Sequence, residues 1–179
     1  RTFSRYFPTK DAVVIAIVEE TAAYVAAAME ALPRDITEYE AMLQAHLIAL
    51  RSGPGGQQTD IFRRMAALIQ IVNSSASFGV TNIPFREQQD RFPTVLAVAR
   101  RMGLSTDHDA VYLVLETWTV VMNTACHGLG TPGYPPIEPE IVATRIQAAY
   151  DLLVRTWRPW GPEVPSTEVP EDEPRAGAT

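Results

Sequence analysis

The sequence predicts an all-α fold, a bundle of amphipathic helices, and three observations predict it. Apolar side chains recur at spacings of three and four in one segment after another. Prolines, glycines and short polar side chains fall where those segments begin and end. The two-residue alternation of a half-buried strand competes nowhere along the chain. With 179 residues, 46% hydrophobic and 20% charged, the chain is long enough to bury a sizeable core as one domain of ordinary size.

The first helix is expected over residues 9 to 32, where Val14, Val18, Val25, Met29 and Leu32 share a face and Ile17, Tyr24 and Ala28 stand beside it. Thr9 is a candidate N-cap with Asp11 in the first turn, and Pro33 stops the helix by driving Leu32 out of helical geometry. A second helix opens near Asp35 and Thr37, with Asp35 and Glu38 spaced as a capping box, and runs to about Ser52. Gly53-Pro54-Gly55-Gly56 then reads as a turn.

Ile61, Met65, Leu68, Ile69 and Val72 mark a third helix over residues 60 to 74, followed by a polar, irregular stretch from Asn73 to Ile83. Phe85, Phe92, Leu96 and Met102 mark a fourth over 84 to 102, with Pro93 as a kink, Arg100 and Arg101 in the last turn and Gly103 as the stop. Thr106 and Asp109 form a second candidate capping box, opening a helix to about His127 that is apolar almost all round and so must be covered on both sides. The last helix begins at Pro139, a favoured first-turn residue, and ends at Trp157, with Val142, Ile146, Ala149, Leu153 and Trp157 in one stripe. From 162 to 179 the chain is acidic, rich in proline and without apolar periodicity, the composition of a disordered tail.

Charge and rare residues exclude several classes of function. The single cysteine, Cys126, forms no internal disulfide, and His46, His108 and His127 lack zinc-site spacing, so neither a structural metal nor a cofactor is expected. No apolar run is long enough for a membrane span and the start has no signal-peptide layout, which points to the cytoplasm and no membrane partner. The net charge of −6 argues against nucleic-acid binding until its distribution is considered. The tail carries −4, while the first ten residues carry +3 from Arg1, Arg5 and Lys10, the only lysine in the chain. Any nucleic-acid contact is therefore expected at the extreme N-terminus.

That terminus, Arg1-Thr2-Phe3-Ser4-Arg5-Tyr6-Phe7-Pro8-Thr9-Lys10-Asp11-Ala12-Val13, resembles the signature of TetR-type (tetracycline-repressor-like) transcriptional regulators at the junction of the recognition helix with the first body helix. Thr2, Phe3, Tyr6, Phe7, Lys10 and Asp11 match it, whereas Ser4 and Arg5 stand where many members have aromatic residues. The resemblance implies that residues 1–8 end a helix-turn-helix domain, that 9–161 form an all-helical ligand-binding and dimerisation domain, and that about forty residues of the DNA-binding head precede Arg1. It implies a DNA role for Thr2, Arg5 and Tyr6 on the duplex, for Arg1 at a base edge, and for Lys10 on a phosphate beside a helix N-terminus. The implied partners are operator DNA, contacted through the complete head and not by this fragment alone, a small-molecule effector, and a second copy of the chain. Repression relieved by the effector is the expected behaviour.

A pocket follows from the helix at 106 to 127. Tyr112, Glu116, Thr119 and Asn123, at spacings of four, three and four, share one face, and Val111, Leu115, Trp118, Met122 and Cys126 occupy the next. The polar stripe is expected to line the ligand site, walled by Met65, Ile69 and Val72 from the third helix and Phe92 and Leu96 from the fourth. Glu116 is the sharpest member, a carboxylate in an apolar helix that needs a ligand hydroxyl, an amine or an arginine. Val111, Leu115, Trp118 and Met122, with Val142, Ile146, Ala149 and Leu153 on the last helix, are expected to meet the partner subunit. The opposite assignment of the two faces also fits the pattern, and ordinary core packing accounts for many of these positions.

Two other classes compete. A helical-bundle enzyme or carrier would need a nucleophile, base and orienter at workable spacing, and the sequence offers none; Cys126 and His127 are adjacent and point about a third of a turn apart. Gly128-Leu129-Gly130-Thr131-Pro132-Gly133 follows a helix and lacks a lysine, so it is a helix stop and not a phosphate loop. A helical interaction module with a filled core and no ligand fits the same hydrophobic pattern.

Overall fold

The computed structural model describes residues 10–51, 59–74 and 92–157, and among these every regular element is an α-helix. Six helices follow one another: α1 (Lys10–Ala31), α2 (Glu38–Leu50), α3 (Asp60–Ser74), α4 (Pro93–Met102), α5 (Asp109–Cys126) and α6 (Pro139–Thr156). The all-α prediction holds. The turn expected at 53–56, the segment 84–91 and the acidic tail fall outside the described residues.

Alanine, the strongest helix former, supplies much of α1, and its buried positions Ala22, Val25, Ala26 and Met29 repeat at three, one and three. This stripe lets α1 pack on α2, α3 and α4 together. Helix α2 is the central one: Ala41, Ala45 and Ala49, four residues apart and fully buried, form a row of small side chains that admits close neighbours. On α3 the buried face is Phe62, Met65 and Ile69, at spacings of three and four. Helix α5 packs mainly on α6, and α6 in turn on α2, so a single hydrophobic core runs from Val25 on α1 to Ile146 on α6.

The caps differ in detail from the sequence expectations. Thr37, not Asp35, is the N-cap of α2, its hydroxyl oxygen accepting from Glu40 N at 3.2 Å. Thr59 plays that part for α3, accepting from Phe62 N at 3.2 Å. Pro93 is the first residue of α4 and not a kink within it, because a proline at that position has no intrahelical N–H to lose. His108 replaces the expected Thr106 box at α5: its Nδ1 accepts from Ala110 N at 3.1 Å.

Helix α4 ends as expected, with Gly103 at φ 68° and Leu104 N donating back to Ala99 O at 3.0 Å. The turns between α5 and α6 use Gly128 at φ 72°, where a Cβ would stand 2.4 Å from the Tyr134 ring. Asn73, on α3, fixes this loop from the side: its Nδ2 donates to Cys126 O at 2.8 Å and to Leu129 O at 2.9 Å. Arg145 on α6 donates to Ala125 O at 2.5 Å and His127 O at 3.1 Å, so carbonyls at the end of α5 are satisfied from two helices.

Candidate functional site

Of the DNA-contact residues, Arg1, Thr2, Arg5 and Tyr6 lie outside the described residues, and Lys10 is the first residue of α1. The helix that the motif leads into is held firmly at its far end. Arg101 on α4 donates to Met29 O and Leu32 O through Nη1, at 3.1 and 3.3 Å, and to Pro33 O and Ile36 O through Nη2, at 2.8 and 3.4 Å. Arg100 pairs with Glu30 beside it, and Arg34 donates to Arg100 O at 3.1 Å. Arg64 on α3 pairs with Glu20 halfway along α1.

Helix α5 turns its apolar stripe to the core, the second of the two assignments of its faces that the sequence left open. Val111 and Trp118, expected at the partner subunit, are buried among the subunit's own helices together with Val114, Val121 and Ala125. Leu115 and Met122 are half-buried against the same core. On α6, Val142, Ile146 and Ala149 are likewise buried within the subunit and Leu153 is half-buried, because α5 and α6 turn their richest apolar stripes towards each other and towards α2.

The polar stripe runs along the other side. Glu116 and Asn123 are exposed, so Glu116 meets water in the single subunit and needs no buried partner; Tyr112 and Thr119 are half-buried, and the Thr119 hydroxyl donates to Leu115 O at 3.0 Å within its own helix. The side chains that face outward with them are Leu113, 65% exposed, and Val120, 64% exposed, with Leu152 on α6. Of the expected pocket walls, Met65 and Ile69 are buried, and Val72, Phe92 and Leu96 are half-buried. Their apolar period is real, but in this structure Met65 and Ile69 belong to the continuous core.

The structure brings together a polar pair that spacing alone did not single out. His46, on α2, is 8% exposed, the one polar side chain among the buried residues described. Its Nδ1 stands 2.7 Å from Met42 O, a carbonyl that can only accept, so Nδ1 carries the proton and Nε2 of the neutral ring is an acceptor. Burial pushes its pKa down to about 4, against the smaller opposing effect of the Met42 hydrogen bond.

Trp118 lies beside it, ring centroids 5.2 Å apart and planes inclined at 43°, and its Nε1–H is buried with no hydrogen-bond partner. Such a group costs about 1–3 kcal/mol when left unsatisfied, and most buried polar side-chain atoms in folded proteins are paired. The sequence signal is weak: His46 interrupts the apolar run of α2 four residues after Met42, and Trp118 is one more member of an apolar stripe.

Other reactive groups are quiet. Cys126 is half-buried, and burial raises its thiol to about 11 despite the opposing charge of Arg145, which leaves it a poor nucleophile near neutrality. Among the described residues no cluster of His, Cys, Asp and Glu is arranged to hold a metal ion. None of the described helices is long and apolar enough to cross a membrane. Compared with protein-family models, curated proteins and solved structures, the chain matches none.

Proposed function

We propose that the protein is a ligand-responsive, DNA-binding transcriptional regulator of the TetR type, acting in the cytoplasm as a homodimer and released from its operator by a small, largely apolar molecule. The observation that carries this reading is the junction of motif and helix. The Lys10-Asp11 pair that ends the TetR-like motif opens a 22-residue helix, α1, which packs on α2, α3 and α4. A displacement of those helices is therefore felt at the N-terminal end of α1.

The mechanism follows from rigid-body coupling. An effector that prefers one arrangement of the body shifts the population towards it, and only that preference supplies the coupling energy. In a dimer, two DNA-reading heads must sit roughly 34–36 Å apart to enter successive major grooves. A movement of α1 that changes this spacing removes one head from register, and the operator is released.

The exposed face of Leu113 and Val120 on α5, with Leu152 on α6, is the surface for the partner copy in this reading. The half-buried and exposed polar residues Tyr112, Glu116, Thr119 and Asn123 then border that interface.

The test is a gel-shift titration of the product of this gene, read from its own start codon, on the DNA upstream of it. The expected result is a saturable shift that resists non-specific competitor. Absence of even salt-sensitive, non-specific DNA binding would overturn the reading in favour of a helical interaction module.

A further inference from the structure

Trp118 offers a buried donor, and the neighbouring ring of His46 an acceptor. The indole Nε1–H is buried and unpartnered, and no hydrogen bond joins the two rings although their centroids are 5.2 Å apart. The proton on His46 Nδ1 is committed to Met42 O at 2.7 Å, which orients the imidazole and leaves Nε2 with a lone pair. A group that satisfies both rings at once must accept one hydrogen bond and donate another. A hydroxyl does so; an ether, a ketone, an ammonium or a carboxylate does not. Met42, one turn before His46, and Val114 and Val121, one turn to either side of Trp118, are buried and apolar.

We propose that the His46–Trp118 pair is the recognition point for the hydroxyl of a neutral, largely apolar small molecule, the indole Nε1–H donating to the hydroxyl oxygen and His46 Nε2 accepting the hydroxyl proton. This deepens the effector reading, from which it takes only that a small molecule enters the helical body. Helix α2 carries His46 and also packs on α1, α3 and α6, so the bound molecule touches the helix with the widest set of neighbours. Neutrality of the site also sets its selectivity: an imidazole with a pKa of about 4 offers no cation to a carboxylate or phosphate at neutral pH.

The probes are phenol and toluene, which share a shape and differ in the hydroxyl. The protein has three tryptophans, and Trp157→Phe and Trp160→Phe identify the Trp118 indole resonance by elimination in a ¹H–¹⁵N correlation spectrum. Phenol is expected to move the Trp118 indole N–H saturably, with toluene binding about tenfold more weakly or not at all, the ratio one good hydrogen bond supplies. His46→Phe is expected to weaken phenol about tenfold and to leave toluene unchanged.

An indole resonance that phenol leaves in place, or equal binding of the two probes, overturns the proposal, and both results come from protein with His46 and Trp118 intact. The DNA experiment separates this from the regulator reading. Phenol bound at Trp118 in a protein that ignores DNA supports the site and removes the regulator, whereas operator binding with a silent Trp118 removes the site alone.

Discussion

Arg101 Nη1 lies 3.1 Å from the carbonyl oxygen of Met29, so the last turn of α4 caps the last turn of α1. The same guanidinium reaches Leu32, Pro33 and Ile36, which gathers four carbonyls of one chain reversal onto a single planar fork. Helix ends leave carbonyls that need partners, and here a basic residue from another helix supplies them and complements the negative end of the α1 dipole. In the regulator reading, this is the fixed end of the lever whose other end carries the DNA-contact motif.

Arg101→Ala should lower unfolding free energy by about 2–4 kcal/mol, since several charge-assisted hydrogen bonds are lost and partly buried carbonyls are left open. Arg101→Lys should recover less than half of that, because an ammonium cannot span the four oxygens. Arg63→Ala is the control: its pair with Asp60 lies in solvent, and the change should stay within about 0.5 kcal/mol. Urea unfolding of the three variants measures all of this, and equal effects of Arg101→Ala and Arg63→Ala would refute the capping role.

His46 makes stability depend on pH in a known direction. Its pKa falls from 6.5 to about 4 on folding, so between those values the unfolded chain binds the extra proton and stability declines as pH falls. The contribution is present in full above pH 6.5 and is lost as the pH drops towards 4. From pH 7 to pH 5 the loss should reach about 2 kcal/mol from this group, read as a fall in the urea midpoint. His46→Phe should flatten the profile over that interval; a profile that keeps its slope would assign the effect to other groups.

The helices were legible in the sequence because their apolar periods are strong. On α3, Met65 and Ile69 of the expected stripe are buried while Ile61, Leu68 and Val72 are half-buried and Phe62, outside that stripe, is buried; α6 starts at Pro139, where a proline is favoured. Which face of α5 turns inward was not legible. Both of its stripes contain apolar residues, and the choice depends on α2 and α6, which α5 meets only in three dimensions. The period therefore singles out neither Leu113 and Val120 as exposed nor Trp118, 3% exposed, as core. The role of His46 is invisible for a related reason: a histidine in an apolar helix reads as core or surface until its neighbour, 72 residues away in sequence, is known.

Gly128 and Gly133 should respond differently to the same substitution. Both have positive φ, 72° and 87°, but a Cβ at Gly128 meets the Tyr134 ring whereas one at Gly133 meets nothing within 4 Å. Gly133→Ala therefore reports the backbone strain alone, about 1 kcal/mol. Gly128→Ala should cost about 1 kcal/mol more, because Tyr134 must leave its edge-on contact with His127, whose ring centroid is 5.7 Å away. Equal thermal midpoints for the two variants would show that the Tyr134 ring gives way freely.

Leu113 and Val120 stand seven residues apart on α5, two turns along one face, and each keeps almost two thirds of its surface in water. In the proposed dimer this face is covered by its copy. Replacing both with glutamate removes two apolar contacts and places charges against each other across the two-fold axis, where Glu116 already contributes one to the same side of the helix. The dimer dissociation constant should rise at least about 100-fold, the equivalent of one buried aliphatic side chain or two partly buried ones. Neither residue is part of the subunit's core, so the far-ultraviolet spectrum should remain helical while sedimentation velocity reports a monomer. A double variant that sediments as a dimer would move the interface elsewhere, and a wild-type protein that sediments as a monomer at tens of micromolar would leave the paired-head mechanism without its second head.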